Sequence, residues 1–207
     1  MHQLEGTDTV MESRLESQSA IGQSAVGIPS SKLGMWVFLS GEVLIFGGLI
    51  ITCVLFRLSY PQWHEFSGET NALTGSINTF VLITGSFTIV LAHKMVDQGN
   101  LKSAFLYIFL TIISGLLFLA IKAIEYAGEI EHGYNFHSGP FWAFYYGLTG
   151  FHAVHVFTGT VINTVVLILI SRRKKPGNPS SLVENAGLFW HFVDIVWVFL
   201  LPLFYLS

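Results

Sequence analysis

Apolar residues along this chain do not alternate with polar ones; they run together. Five runs dominated by apolar residues, 33–56, 75–92, 104–121, 141–170 and 188–206, are separated by polar stretches. A hydrocarbon core takes about 20 residues of helix to cross, so each run is long enough or nearly so. Each must be helical, because an open strand in lipid leaves its N–H and C=O groups unpaired. The pattern therefore predicts an all-α integral membrane bundle of five transmembrane helices, at about 33–57, 75–94, 102–125, 141–171 and 186–206. The fourth run exceeds what a crossing needs and is expected to tilt or to reach into an interface. The connection 94–102 is short, which makes the second and third spans antiparallel neighbours. The loops 57–74 and 126–140 are longer and have room to cover an interface.

Residues 1–31 follow no such pattern. Glu5, Asp8, Glu12, Arg14 and Glu16 lie there among Ser, Gln and Gly. A signal peptide has a basic start and an apolar stretch of about 7–15 residues, and this segment has neither. It reads as a polar, flexible tail or a docked arm ahead of a transmembrane domain at 32–207. No internal repeat and no second domain is visible.

Composition agrees with the pattern. Only 11% of the 207 residues are charged, against roughly 25% in soluble domains, and 52% are hydrophobic. Mean hydropathy is +0.59. The net charge of -3 matters less than where the charges fall. With the N-terminus inside, Arg14, Lys32, Lys94, Lys102 and the run Arg172-Arg173-Lys174-Lys175 all lie on the cytoplasmic side. Arg57 and Lys122 are left near the other face, whose loops carry Glu65, Glu69, Glu129 and Glu131. Basic residues are translocated poorly, so the N-terminus is expected to be cytoplasmic. The basic run abuts a span and gives no ground for a nucleic-acid partner. Cys53 is the single cysteine, and it has no partner for an internal disulfide.

Chemistry is to be sought among polar groups at hydrocarbon depth, where an ionisable side chain costs at least about 2.5–3.5 kcal/mol unless paired or hydrated. Glu42 lies well inside the first run and is its one formally charged residue. It is either a carboxyl in or near a proton path or a protonated acid bonded to a neighbouring helix. His152 and His155 are three apart on the fourth span, as are His191 and Asp194 on the fifth, so each pair shares a helix face. Imidazole and carboxylate are common metal ligands. Yet two histidines one turn apart would sit on the same side of a haem, so only His152 or His155 with His191 could clasp one. There is no His-Glu-x-x-His and no cysteine pair. The competing reading is a set of interhelical hydrogen bonds that lock the bundle. His93 reads as interfacial, and Glu125 with Tyr126 as the cap of a water-filled rim at the end of span three. No residue is expected to be catalytic or to hold a metal.

The same stretches carry a family resemblance. The opening Gly34-Met35-Trp36-Val37-Phe38-Leu39-Ser40-Gly41-Glu42, the second-span stretch Thr84-Gly85-Ser86-Phe87-Thr88 through Ala92-His93, and the pair Glu125-Tyr126 resemble successive motifs of subunit III of the haem-copper respiratory oxidases. Gly150-Phe151-His152-Ala153-Val154-His155-Val156 and Phe189-Trp190-His191-Phe192-Val193-Asp194-Ile195-Val196-Trp197 are similar to the motifs of its last two spans. The five fall in order, one per span, as in the short five-helix form; residues 1–31 have no counterpart. The resemblance implies a non-redox subunit of a proton-pumping terminal oxidase in a bacterial-type plasma membrane. Haem and copper belong to partner subunits, and this subunit holds none. Its partners would be catalytic subunit I, subunit II and membrane phospholipid, the last in a cleft between its first two helices and the remaining three. It would stabilise the catalytic subunit and support proton uptake while oxygen is reduced to water, with cytochrome c as the favoured donor. On this mapping Glu42 is the family's intramembrane acid, and Glu125, His152, His155, His191 and Asp194 form its interhelical polar core. The alternatives are subunit III of a quinol oxidase, an accessory subunit of a nitric oxide reductase system, and a stand-alone transporter using Glu42 and the histidines as a relay.

Overall fold

The computed structural model describes residues 30–68, 70–172 and 179–206, with the side chains of residues 64 and 65 left out. The expected tail lies outside this set except for Ser30 and Ser31, and so do three residues of the basic run, 173–175. Among the described residues there are six helices and no strand: α1 Ser30–Ser59, α2 Trp63–Ser67, α3 Ala72–Asp97, α4 Leu101–Glu131, α5 Pro140–Ser171 and α6 Pro179–Phe204. All but α2 are long and apolar enough to cross a membrane, which gives the five spans expected from the apolar runs. The long fourth run forms α5, 32 residues, and α4 is nearly as long at 31. At a rise of about 1.5 Å per residue both exceed a hydrocarbon core of about 30 Å.

The chain falls into two compact units, Met1–Gly41 and Glu42–Ser207. Of the first, the described part is the opening of α1, where the Ser40 hydroxyl donates to the Trp36 carbonyl at 2.8 Å. The second holds the rest of α1 and all the other helices.

Within the second unit, α3 and α4 are antiparallel neighbours joined by a turn at Gln98, Gly99 and Asn100. Gly99 has φ +73, a backbone conformation that suits glycine. The Asn100 side chain then caps α4 by accepting from the Ser103 N–H at 3.2 Å. Along this pair Thr88 and Thr111 meet hydroxyl to hydroxyl at 2.8 Å, and both approach the Gly85 carbonyl.

The centre of the bundle is Trp190, which is fully buried. Three glycines from three helices make room for it. A Cβ on Gly85 of α3 would come within 3.1 Å of the indole nitrogen, one on Gly115 of α4 within 2.8 Å of Cη2, and one on Gly159 of α5 within 3.1 Å of Cε3. Close approach through small residues is how membrane helices gain dispersion contact in place of a hydrophobic driving force. Other glycines of the spans take no part in this packing: Gly47, Gly48 and Gly147 meet nothing within 4 Å.

At the end where α1 stops and α3 starts, the loop carrying α2 folds over α6. Trp63 is fully buried and its indole N–H donates to the Leu203 carbonyl at 3.4 Å, while the Thr70 hydroxyl donates to the Phe204 carbonyl at 2.7 Å. Both bonds satisfy carbonyls that a helix C-terminus leaves without an intrahelical partner.

Candidate functional site

Among the described residues, three clusters bring ionisable side chains together at membrane depth, each joining helices that the apolar faces have already brought together. The first lies between α1 and α5. Glu42 and Phe46 are four apart on α1 and share a face; Phe46 packs edge-on against His155, with ring centroids 5.0 Å apart, and tilted against Phe151 at 4.9 Å. His155 Nε2 lies 3.2 Å from Glu42 Oε2, and both side chains are largely buried. Its other nitrogen, Nδ1, is 2.9 Å from the Phe151 carbonyl. A carbonyl only accepts, so Nδ1 carries a hydrogen and donates it there. The Nε2–Oε2 contact therefore holds one proton, as acid to imidazole or as imidazolium to carboxylate.

The second cluster lies between α3 and α6. The Ser86 hydroxyl donates to Asp194 Oδ2, and Ser86 Oγ lies 2.7 Å from His191 Nδ1. A hydroxyl has one hydrogen, already given to the carboxylate, so His191 Nδ1–H is the donor to Ser86. The expected pair His191 and Asp194 is thus joined through a serine on another helix.

The third joins α4, α5 and the residue just beyond α6. Lys122, 2% exposed, donates to Tyr145 Oη at 3.1 Å and Tyr205 Oη at 2.8 Å, and lies 3.3 Å from Glu125 Oε1. Both phenols donate to that carboxylate oxygen at 2.5 Å. The ammonium also sits over the rings of Tyr126 and Tyr145, at 4.6 and 4.8 Å from their centroids. Lys122 falls within the expected third span, 102–125, but was read only as a basic residue near the outer face and not as part of the polar core. α4 continues to Glu131, which carries Lys122 into the bundle. Tyr145 and Tyr205 were likewise missed. The signal that was available is the i, i+3 spacing of Lys122 and Glu125, which makes an intrahelical ion pair.

His152 joins none of the three. It is fully buried, its ring stacked on Trp197 at 5.3 Å and edge-on to Phe118 at 5.4 Å, and neither ring nitrogen has a hydrogen-bond partner. His93 lies near the end of α3, about a third exposed, with Nε2 3.5 Å from Asp97. The three imidazoles weighed as haem ligands face different neighbours: His155 meets Glu42, His152 meets Trp197 and Phe118, and His191 meets Ser86. Among the described residues no three or more His, Cys, Asp and Glu side chains are grouped to hold a metal ion.

Comparison with known proteins agrees with an all-helical bundle of five membrane spans. The family model described as cytochrome c oxidase subunit III matches residues 4–207. A cytochrome c oxidase subunit 3 of Thermostichus vulcanus is 33% identical over 178 residues, covering 84% of this chain and 86% of that protein. Another, of Corynebacterium diphtheriae, is 30% identical and covers 87% and 94%. A quinol oxidase subunit 3 of Bacillus subtilis is 29% identical and covers 93% and 91%. With a family model matched over nearly its whole length, the chain belongs to the cytochrome c oxidase subunit III family.

Proposed function

We propose that the chain is the non-redox subunit III of a proton-pumping haem-copper terminal oxidase, and that cytochrome c is the donor to that oxidase. The match to the subunit III family over residues 4–207 carries the reading. Subunit I, which holds the haem and copper and reduces oxygen to water, and subunit II are its partners. The chain stabilises subunit I and supports proton uptake. Glu42 with His155 is the proton-holding pair at membrane depth; the clusters of Lys122 with Glu125 and of Ser86 with His191 and Asp194 hold helices together. The chain also binds membrane phospholipid. The family and the five spans make the chain a multi-pass protein of a bacterial plasma membrane.

The same reading puts the N-terminus, with residues 1–31 as a polar tail, on the cytoplasmic side. Burial of Lys122 strengthens the charge bias, because it removes one of the two basic residues assigned to the outer face. The test is purification of the chain with its copurifying polypeptides in mild detergent. A haem-bearing complex that reduces oxygen with reduced cytochrome c supports the reading, and a chain that copurifies with no haem protein sinks it. Turnover with quinol and not with cytochrome c would favour the second reading, a quinol oxidase, for which the Bacillus subtilis relative speaks.

A further inference from the structure

Between α3 and α6 the outer surface of the bundle is grooved. One hollow, of about 500 Å³, is lined by Ile83, Ser86, His191, Asp194, Ile195 and Val198. A smaller one, of about 130 Å³, continues it past His93, Gly187 and Glu184, and His191 lines both. The flanks are apolar: Ile83, Phe87, Val90, Ile195, Val198 and Phe199 are each at least half exposed.

The floor is polar and made of acceptors. His191 gives its Nδ1 hydrogen to Ser86, and Ser86 gives its own to Asp194. The neutral imidazole is left with a lone pair on Nε2, for which no bond is found among the described residues. Asp194 Oδ1 is buried without a partner, and no cationic side chain among the described residues reaches the carboxylate. At about 1.5 Å per residue, Asp194 lies about 12 Å from one end of the expected span 186–206 and about 18 Å from the other. Lipid headgroups do not reach that depth, and acyl chains offer no hydrogen to bond. Acceptors left open in hydrocarbon cost several kcal/mol each, so what fills the groove must bring donors with it.

We propose that this groove seats a transmembrane helix of the oxidase's catalytic subunit, which places a hydrogen-bond donor, such as a hydroxyl, an indole N–H or an amide, at the level of Ser86, His191 and Asp194. The inference rests on the reading of the chain as an oxidase subunit. A helix is required because no other segment with a lipid-exposed side satisfies its own backbone at this depth. A second copy of this chain is the wrong occupant. Two such faces packed on a twofold axis would bring acceptor against acceptor and carboxylate against carboxylate.

The test places a photo-crosslinking benzoylphenylalanine at Ile83 or Val198 on the groove, and at Leu116 of α4 or Val161 of α5 as controls, in the complex purified in mild detergent. Adducts with the haem-bearing subunit are expected from Ile83 and Val198 and not from Leu116 or Val161. In parallel, Asp194→Leu is expected to lower retention of the catalytic subunit through a detergent wash by about tenfold, while the variant chain keeps a cooperative thermal transition at a midpoint lowered by loss of the Ser86 bond. Groove adducts with lipid only, or with another copy of this chain, overturn the proposal, as does capture of the catalytic subunit from the α4 or α5 positions alone. If the wild-type chain brings down no haem-bearing subunit, the oxidase reading itself falls and the groove proposal with it. If it does and only the adducts disagree, the groove proposal alone falls.

Discussion

The cluster around Lys122 and the cluster around Asp194 are built from similar chemistry and end in opposite states. Lys122 has three hydrogens and three acceptors in reach, from Tyr145, Tyr205 and Glu125. Its charge is matched by a carboxylate that receives two phenol hydrogens. That cluster is nearly complete inside one subunit; only Glu125 Oε2 lacks a partner. Asp194 receives one hydroxyl and faces no cation among the described residues, on the edge of an open groove. A polar group closed off by its own helices holds those helices together. One left short of donors on an outer face points beyond the subunit.

The sharpest way to break that distinction is to remove one partner from the closed cluster. Lys122→Met leaves Glu125 buried without its cation. Breaking a buried pair from one side costs about 3–5 kcal/mol, enough to lower the yield of folded chain and its thermal midpoint in detergent. The double variant Lys122→Met/Glu125→Leu removes both charges and is expected to regain most of that loss, since apolar replacement of a buried pair is often neutral or better. If the double variant melts no higher than the single one, the ion pair is not what holds α4 to α5 and the end of α6.

A second test addresses the packing that brings the clusters together. Gly115→Leu pushes a side chain into Thr160 and the indole of Trp190. Overpacking of this kind costs about 1–3 kcal/mol. The thermal midpoint of the purified chain is expected to fall by a corresponding amount. Gly147→Leu, at a position open on all sides, is the control expected to leave it unchanged.

These contrasts also mark what the sequence disclosed. Apolar runs gave the number of spans, because lipid leaves a helix no alternative. Spacing put His191 and Asp194 on one face, and motif order connected the chain to its family. Neither says which helix lies opposite, so Ser86, the residue between His191 and Asp194, was visible only within a motif. Lys122 falls within the expected span 102–125 but was counted only as a charge near the outer face, because its partners Tyr145 and Tyr205 lie far along the chain, where spacing does not reveal them. The same limit applies to the glycines. Composition lists small residues, but only the neighbouring helices decide that Gly85, Gly115 and Gly159 surround Trp190 while Gly47 and Gly48 face open space. His152 was expected to bond across helices, yet it packs by its ring faces.

The smallest effect on stability is expected at Glu42, and it carries the most functional weight. His155 spends its Nδ1 hydrogen on the Phe151 carbonyl, so the contact with Glu42 has room for one proton only. Glu42→Gln keeps the volume and offers an amide hydrogen to Nε2, which preserves the bond. The cost is therefore expected to stay under about 1 kcal/mol, with complex yield and melting close to wild type. What the amide lacks is a proton that can leave. If the pair takes part in supplying protons, Glu42→Gln slows sustained turnover or shortens its lifetime while the complex stays assembled. Glu42→Leu, which breaks the bond as well, adds a loss of stability to the same functional defect. Equal turnover, lifetime and proton stoichiometry in wild type and Glu42→Gln would make this pair a clasp between α1 and α5, of one kind with the Lys122 cluster.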